Sequence, residues 1–394
     1  MPMSDPKDSP HGLATRIIST ATRRGQGRRP VNPPIERAST MLSDDPAQMN
    51  SSRDGPVYGL EGGSAAQQLR RVLSNMEGAT DSFIVPSGLA AVTVPLTAVL
   101  RPGDEVVCTD AVYGPTRRFL TRHMADRGVT TRFHPADATA AQIIECLTPS
   151  TRIVIIEAPG SLTFEVVDMA AIGLACRERG IITVVDNTWG AGLAYRPLEH
   201  GLDISVQALT KYVGGHSDIL MGSISVRHPA LAQTVFETID DNGWHVSPDD
   251  AWLALRGVRT LPVRYRSQFQ SAMKVAAWLE TRPEISRVLY PPLPSSPYHG
   301  LWRDQFDGGA SLIGVVMKGG NRSDAHRLMS ALSLFGMGYS WGGFESLITN
   351  DTSQLEWRVH QQALEGEILR LHIGLEDVDD LIADLDRGLS VWST

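Results

Sequence analysis

The 394-residue chain predicts an α/β fold, with a large domain on a mainly parallel sheet followed by a smaller C-terminal α/β domain. Three observations carry that expectation. From about residue 62, short β-branched runs alternate with segments of helical period. The runs are near-continuously apolar, as in Ile153-Val154-Ile155-Ile156 and Ile181-Ile182-Thr183-Val184-Val185, which suits strands buried on both faces. The length exceeds what one small core organises and suits two domains.

Residues 1–57 are rich in Pro, Ser, Asp, Arg and Gly without sustained periodicity, so an extended arm is expected, reaching about residue 61 and ordered by a subunit contact. Residues 64–76 carry apolar side chains at helical spacing. Ser82-Phe83-Ile84-Val85 reads as a strand, residues 88–100 as an apolar helix, and Glu105-Val106-Val107-Cys108 as a strand after the turn Arg101-Pro102-Gly103-Asp104. The alternation continues through Arg152-Ile153-Val154-Ile155-Ile156-Glu157, a helix over 168–179, the 181–185 strand, and Asp203-Ile204-Ser205-Val206-Gln207-Ala208. One long helical stretch over 252–279 leads to the Pro-rich hinge Tyr290-Pro291-Pro292-Leu293-Pro294. A strand over 310–317, a helix, a glycine-rich segment over 339–344 and the strand Ile368-Leu369-Arg370-Leu371-His372-Ile373-Gly374 follow. The expected division is an arm over 1–61, a large domain over 62–255 and a small domain over 256–394.

A net charge of −8 and a pI near 5.8 argue against nucleic acid as the main partner. The basic cluster over 23–29 reads as a solvated arm packing on a neighbouring subunit. Cys108, Cys146 and Cys176 fit neither a disulfide framework nor a metal-ligand spacing, and the eleven histidines offer no HExxH set. No apolar run is long enough to span a bilayer and the N-terminus has no signal-peptide segment, so a cytoplasmic protein without a membrane partner is expected.

Open parallel sheets hold ligands at the carboxyl ends of their strands. Ser87, Tyr113, Asp186 and Lys211 all fall just past such ends. Lys211 lies in the turn Thr210-Lys211-Tyr212-Val213-Gly214-Gly215-His216-Ser217, and Asp186 closes the apolar run 25 residues upstream. A lysine able to hold an aldehyde as a Schiff base, with a carboxylate to keep a pyridine nitrogen protonated, is what a pyridoxal 5'-phosphate (PLP) site needs. Burial near other positive groups would lower the lysine pKa and let the freed amine act as a base. Alone, Asp186 would read as a strand-end turn residue. Ser87-Gly88-Leu89 opens a helix after a strand and can cradle a phosphate on its N–H groups, though an ordinary N-cap fits equally well. Thr210 could add a hydroxyl to the same phosphate. Tyr113 either stacks on the cofactor ring or simply packs. Arg370, costly to bury unpaired on an apolar strand, faces an anion, either a substrate carboxylate or a structural partner. His216 reads as structural.

The segments Asp186-Asn187-Thr188-Trp189, 203–218, Ser87-Gly88-Leu89-Ala90-Ala91-Val92-Thr93 and Glu157-Ala158-Pro159-Gly160-Ser161 resemble the Cys/Met-metabolism PLP enzymes. So do Tyr339-Ser340-Trp341-Gly342-Gly343-Phe344-Glu345-Ser346-Leu347 and Arg370-Leu371-His372-Ile373-Gly374-Leu375-Glu376-Asp377, and the likeness is greatest to the bacterial cystathionine β-lyase branch. It covers roughly residues 50–390. The resemblance implies a fold type I PLP enzyme, a homotetramer of dimers with shared sites, acting on a small-molecule amino acid. It also implies roles: Lys211 for the covalent link to PLP, Asp186 at the pyridine nitrogen, and Tyr113 over the ring. Gly88, Leu89 and Thr210 would hold the phosphate, while Arg370, with Ser340 and Trp341, would bind the substrate α-carboxylate. Tyr58 matches a tyrosine that reaches the neighbouring subunit's site.

The implied reaction is carbon–sulfur β-elimination, with Lys211 taking the Cα proton and returning one to sulfur. From L-cystathionine this gives homocysteine, pyruvate and ammonia. One departure stands out: where the family usually continues Tyr-Gly-Arg, often with a further basic residue, the chain reads Tyr58-Gly59-Leu60-Glu61. Losing a charge-assisted phosphate contact costs roughly 1.5–3 kcal/mol unless another donor replaces it. The change also favours an alternative substrate, such as cysteine, cystine or another S-substituted cysteine. The γ-lyase and γ-synthase siblings are the other enzymatic alternative, against which the 339–347 motif speaks. A silent scaffold is disfavoured by the intact Lys211, Asp186, Tyr113 and Arg370.

Overall fold

The apolar runs form the centre of a seven-stranded sheet. The structure, a computed structural model, describes residues 11–22, 27–49, 56–361 and 364–392. Residues 1–10, 23–26 and 50–55 of the expected arm, including part of its basic cluster, lie outside the described residues; the described part is not all extended but holds the helix Leu13–Thr20, with Ile17 fully buried.

The first sheet has the order β1-β7-β6-β5-β4-β2-β3. Its strands are β1 (Asp81–Val85), β2 (Glu105–Thr109), β3 (Thr130–His134), β4 (Thr151–Glu157), β5 (Ile182–Asp186), β6 (Ile204–Ala208) and β7 (Gly222–Val226). The β3-β2-β4-β5-β6 ladder is parallel throughout. β7 runs against both β6 and β1, so β1 points the same way as β6. The carboxyl ends of β1, β6, β5, β4 and β2 therefore share one edge. β7 had no separate signal in the sequence; pairing, not composition, sets its direction.

Central strands form where β-branched residues can be covered on both sides. Val184 and Val185, adjacent and pointing to opposite faces, are both fully buried and fall in separate apolar clusters, one per face. Each such side chain contributes roughly 1.5–3 kcal/mol through burial. The covering helices start where short polar side chains can satisfy free N–H groups. Ser87 accepts from Ala90 N (3.0 Å) at the Gly88–Val99 helix, and Asp168 from Ala171 N (3.0 Å) at Met169–Glu178.

The expected single helix over 252–279 is two, Pro248–Val258 and Leu261–Leu279. Pro262 has no N–H to continue the first helix but fits the opening turn of the second, and Thr260 N turns back to Gly257 O (3.1 Å). A second sheet follows, in the order β10-β11-β12-β9-β8. It comprises β8 (Ile285–Leu289), β9 (Leu312–Met317), β10 (Gly336–Met337), β11 (Leu347–Asn350) and β12 (Ile368–His372). One apolar cluster runs from the first sheet through Tyr212 and Tyr265 to Ile313 and Leu371 of the second, so the two share a core.

Candidate active site

Lys211 lies three residues past β6. Gly214 N bonds back to Leu209 O and Gly215 N to Lys211 O (both 2.8 Å), closing a tight turn. Gly215 has φ +70, and a Cβ there would run into the Arg264 guanidinium. Arg264, from the Leu261–Leu279 helix, donates to Tyr212 O (2.8 Å) and Gly257 O (2.9 Å). The lysine is fixed at its far end too: Nζ donates to Ser340 Oγ (2.8 Å) and lies 5.3 Å from the Trp341 ring centroid. Burial and then the Arg370 charge push the Lys211 pKa down to about 8, against the opposing pull of Asp186.

Ser340 holds that hydroxyl in place at φ +104, a region a residue with a Cβ avoids unless its surroundings impose it. The next glycine, Gly342, has φ +82, and a Cβ there would come within 2.8 Å of Tyr212 N. The 340–342 loop is thus pressed onto the Lys211 turn. Behind it, His372 accepts from Gly342 N (3.0 Å at Nε2), and burial drives its pKa down to about 3, so it is neutral.

Asp186 ends β5 beside Glu157, the last residue of β4, and the two are register partners. Asp186 accepts from Thr188 Oγ1 (2.6 Å) and Thr188 N (3.0 Å), while the Thr188 hydroxyl accepts from Ala208 N (2.9 Å). Burial raises both carboxyl pKa values. Two buried neighbours do not readily ionise together. Burial and the Asp186 charge raise Glu157, while Asp186 is raised by burial against the opposing pull of the Thr188 donors and Lys211. Glu157 also accepts from Tyr113 N (2.8 Å) and from the Ser161 hydroxyl, which fixes the backbone that presents Tyr113.

The Gly88–Val99 helix points its N-terminus at the same strand ends. Ser87 Oγ takes the Ala90 N–H, and the Gly88 and Leu89 N–H groups donate to no protein acceptor among the described residues. A Cβ on Gly88 would stand 2.5 Å from Ala208 Cβ, so the helix end approaches the Lys211 strand only because residue 88 is glycine. This donor set fits a phosphate, and the lysine, carboxylate and phosphate cradle together fit PLP. The Thr210 hydroxyl is engaged with Met221, donating to its O (3.2 Å) and accepting from its N (3.0 Å), so its proton must turn away to reach a phosphate.

Tyr113 is half exposed, and its hydroxyl lies in the fields of Asp186, Glu157, Arg118 and Arg370. Arg370 already has a protein anion, Asp351, at 3.3 Å. Tyr58 is exposed and its backbone bridges Thr40; it makes no hydrogen bond with Lys211, Asp186 or Arg370 among the described residues. Glu61 Oε1 accepts from Val57 N (3.0 Å) and Tyr58 N (3.4 Å), so the acidic residue at the family's basic position closes a local turn. His216 Nδ1 lies 2.7 Å from Gly214 O. Sequence reasoning missed Thr188, Arg264 and Asp351 as supports of the site. Of these only Thr188 left a signal, inside the motif that opens with Asp186; Glu157 likewise stood in a motif without a role of its own.

Among the described residues no group of His, Cys, Asp and Glu could hold a metal, and no helix is long and apolar enough to cross a membrane. A family model described as Cys/Met metabolism PLP-dependent enzyme matches residues 14–390. A protein of Rhizobium johnstonii called putative cystathionine beta-lyase is 40% identical over 369 residues, 92% of each chain. Cystathionine beta-lyase MetC of Escherichia coli is 37% identical over 390 residues, 96% of this chain and 98% of its own. The crystal structure of metB from Corynebacterium glutamicum superposes with a TM-score of 0.92 at 27% identity, over 98% of this chain and 99% of that one.

Proposed function

The chain belongs to the Cys/Met-metabolism PLP-dependent enzymes, and from that premise we propose that it is a carbon–sulfur β-lyase cleaving L-cystathionine to homocysteine, pyruvate and ammonia, with one water consumed. The observation that carries the reading is the part-buried Lys211 amine, held on Ser340 in the opposing fields of Asp186 and Arg370, with its pKa pushed down to about 8. An amine shifted there loses its proton far more readily than an ordinary lysine and can take and return one near neutral pH.

Lys211 would hold the PLP aldehyde, Asp186 the pyridine nitrogen, Gly88, Leu89 and Thr210 the phosphate, and Tyr113 the ring. When bound, PLP supplies the electron sink that makes the substrate Cα–H acidic. Arg370 orients the substrate by its α-carboxylate, with Ser340 and Trp341 as neighbours. Freed Lys211 accepts the Cα proton at Nζ and delivers a proton to the departing sulfur, so the thiol leaves neutral. Ser340 Oγ aims the amine between the two positions. A homotetramer with shared sites belongs to the same proposal; exposed Leu42, Met49 and Tyr58 on the N-terminal segment support a subunit contact there.

Glu61, locked into its turn, and apolar Leu60 bring no cation to the site, which favours a second reading: the same chemistry on cystine or another S-substituted cysteine. Holoenzyme assayed with L-cystathionine, L-cystine and S-methyl-L-cysteine decides. Pyruvate with homocysteine, at highest efficiency from cystathionine, is expected. Pyruvate mainly from the other two selects the second reading, and 2-oxobutyrate from cystathionine overturns β-elimination. Lys211→Ala abolishes turnover and the absorbance near 420 nm expected of the lysine-bound cofactor.

A further inference from the structure

Arg370 sits in mid-strand on β12, opposite Thr349 of β11 and Gly314 of β9. Its side chain keeps 14% exposure, yet Asp351, just past β11, is wholly buried against it, with Nε 3.3 Å from Asp351 Oδ2. The carboxylate is pinned independently of the arginine. Oδ2 accepts from Thr349 Oγ1 (3.1 Å) and Oδ1 from Gln354 Nε2 (2.6 Å). Asp351 N donates to Ile368 O (3.0 Å), tying its backbone to the strand that carries Arg370. Asp351 also precedes the short 3-10 segment Thr352–Trp357, beyond which Arg358 is anchored on Ser161 O (2.9 Å) and Thr163 Oγ1 (2.7 Å). Both ends of the segment are fixed to the framework.

A guanidinium has two edges on which it can meet carboxylates. Asp351 takes the Nε side. The Nη groups donate to no protein acceptor among the described residues, so the free edge is a fork for one further carboxylate.

We propose that Asp351 is the positioning residue of the substrate-carboxylate site: it holds the Nε edge of Arg370 so that the Nη fork faces the bound amino acid. It also sets selectivity. With its Nε edge held on Asp351, Arg370 keeps its fork in one orientation and rewards a ligand that makes both fork bonds. A free α-carboxylate does so and an ester does not. The inference rests on the reading of Arg370 as the α-carboxylate site.

The test compares kcat/KM of holoenzyme for L-cystine and L-cystine dimethyl ester, whose ratio a general folding or cofactor defect does not move. Asp351→Ala lets the guanidinium swing, and the acid-over-ester preference falls roughly ten-fold or more, chiefly through KM for the acid. Asp351→Asn keeps an acceptor for Nε–H and retains the preference within about three-fold. If Asp351→Ala does not fold, Gln354→Leu unpins the same carboxylate and narrows the ratio in the same sense. An unchanged ratio in Asp351→Ala, or in Gln354→Leu standing in for it, overturns the proposal, as does an Asn variant no better than Ala. Arg370→Ala separates the two levels. If it too leaves the ratio unchanged, the α-carboxylate reading itself fails; if it collapses the ratio while the Asp351 variants do not, only the role of Asp351 is lost.

Discussion

Glu77 closes the Ser64–Glu77 helix with its carboxylate in a dry pocket, accepting from the side-chain amides of Asn187 and Gln207. Burial raises its pKa from 4.5 to about 7, although those amides and Arg196 pull it down. The folded protein therefore binds one more proton here than the unfolded chain between those values. The resulting stabilisation is fully present below pH 4.5 and is lost as pH rises through 7, on the order of 3 kcal/mol for such a shift. Glu77→Gln mimics the protonated form, so the fall in melting temperature from pH 5 to pH 8 becomes shallower in the variant. Thermal unfolding across that range measures it; parallel curves for the two proteins sink the idea. Thr188 presents a second case. Its hydroxyl bridges Asp186 and Ala208 N, so Thr188→Val leaves a buried carboxylate short of one donor. The expected cost is roughly 1.5–3 kcal/mol of stability, read by denaturant unfolding, with a raised Asp186 pKa and weaker PLP retention by the holoenzyme.

At the scale of elements, the site is a meeting of ends: the β6 turn, the β5 and β4 termini, the N-terminus of the Gly88–Val99 helix and the strained 340–342 loop. Their approach depends on two glycines where no Cβ fits, Gly88 against Ala208 and Gly342 against Lys211 and Tyr212. Gly88→Ala must push the helix end away from the strand, at roughly 1–3 kcal/mol of overpacking. It moves the two free N–H groups with it, so PLP binding, followed by equilibrium titration of the apoprotein, weakens about ten-fold or more for one charge-assisted bond lost. Unaltered affinity would mean the phosphate is held elsewhere. The strands of this set were legible because each is a β-branched run bounded by turn residues. The break at Arg259-Thr260 was not, because apolar periodicity carries across it, and only Pro262 marks a helix starting afresh.

Across the whole molecule, two sheets share one apolar cluster, and polar anchors tie the second sheet's segment to loops of the first. Arg358 reaches Ser161 O and Thr163 Oγ1, with the buried Glu165 carboxylate 3.9 Å away, and Val359 N (3.2 Å) and His360 N (2.5 Å) donate to Asp110. With the core continuous, a single cooperative transition is expected, with far-UV and tryptophan signals coinciding. Arg358→Ala removes the bonds to Ser161 O and Thr163 Oγ1 and the cation nearest Glu165, and costs roughly 1.5–3 kcal/mol. The loss is visible as a lower denaturant midpoint; a midpoint equal to that of the wild type would show that the anchor contributes nothing.

The sequence by itself determined the fold class and the strand ends, and it singled out Lys211, Asp186, Tyr113 and Arg370 as candidates, since periodicity and residue chemistry are local properties. It also displayed the Leu60–Glu61 departure. Only the tertiary structure decided how those groups are tuned. That the Asp186 charge raises the Glu157 pKa depends on strand register, which places two carboxylates side by side. That Ser340 is strained onto Lys211, that Glu61 closes a turn, and that Asp351 occupies one edge of Arg370 all depend on segments distant in sequence or on backbone angles. A pKa and a hydrogen-bond partner are set by what burial brings near, and no linear pattern encodes that.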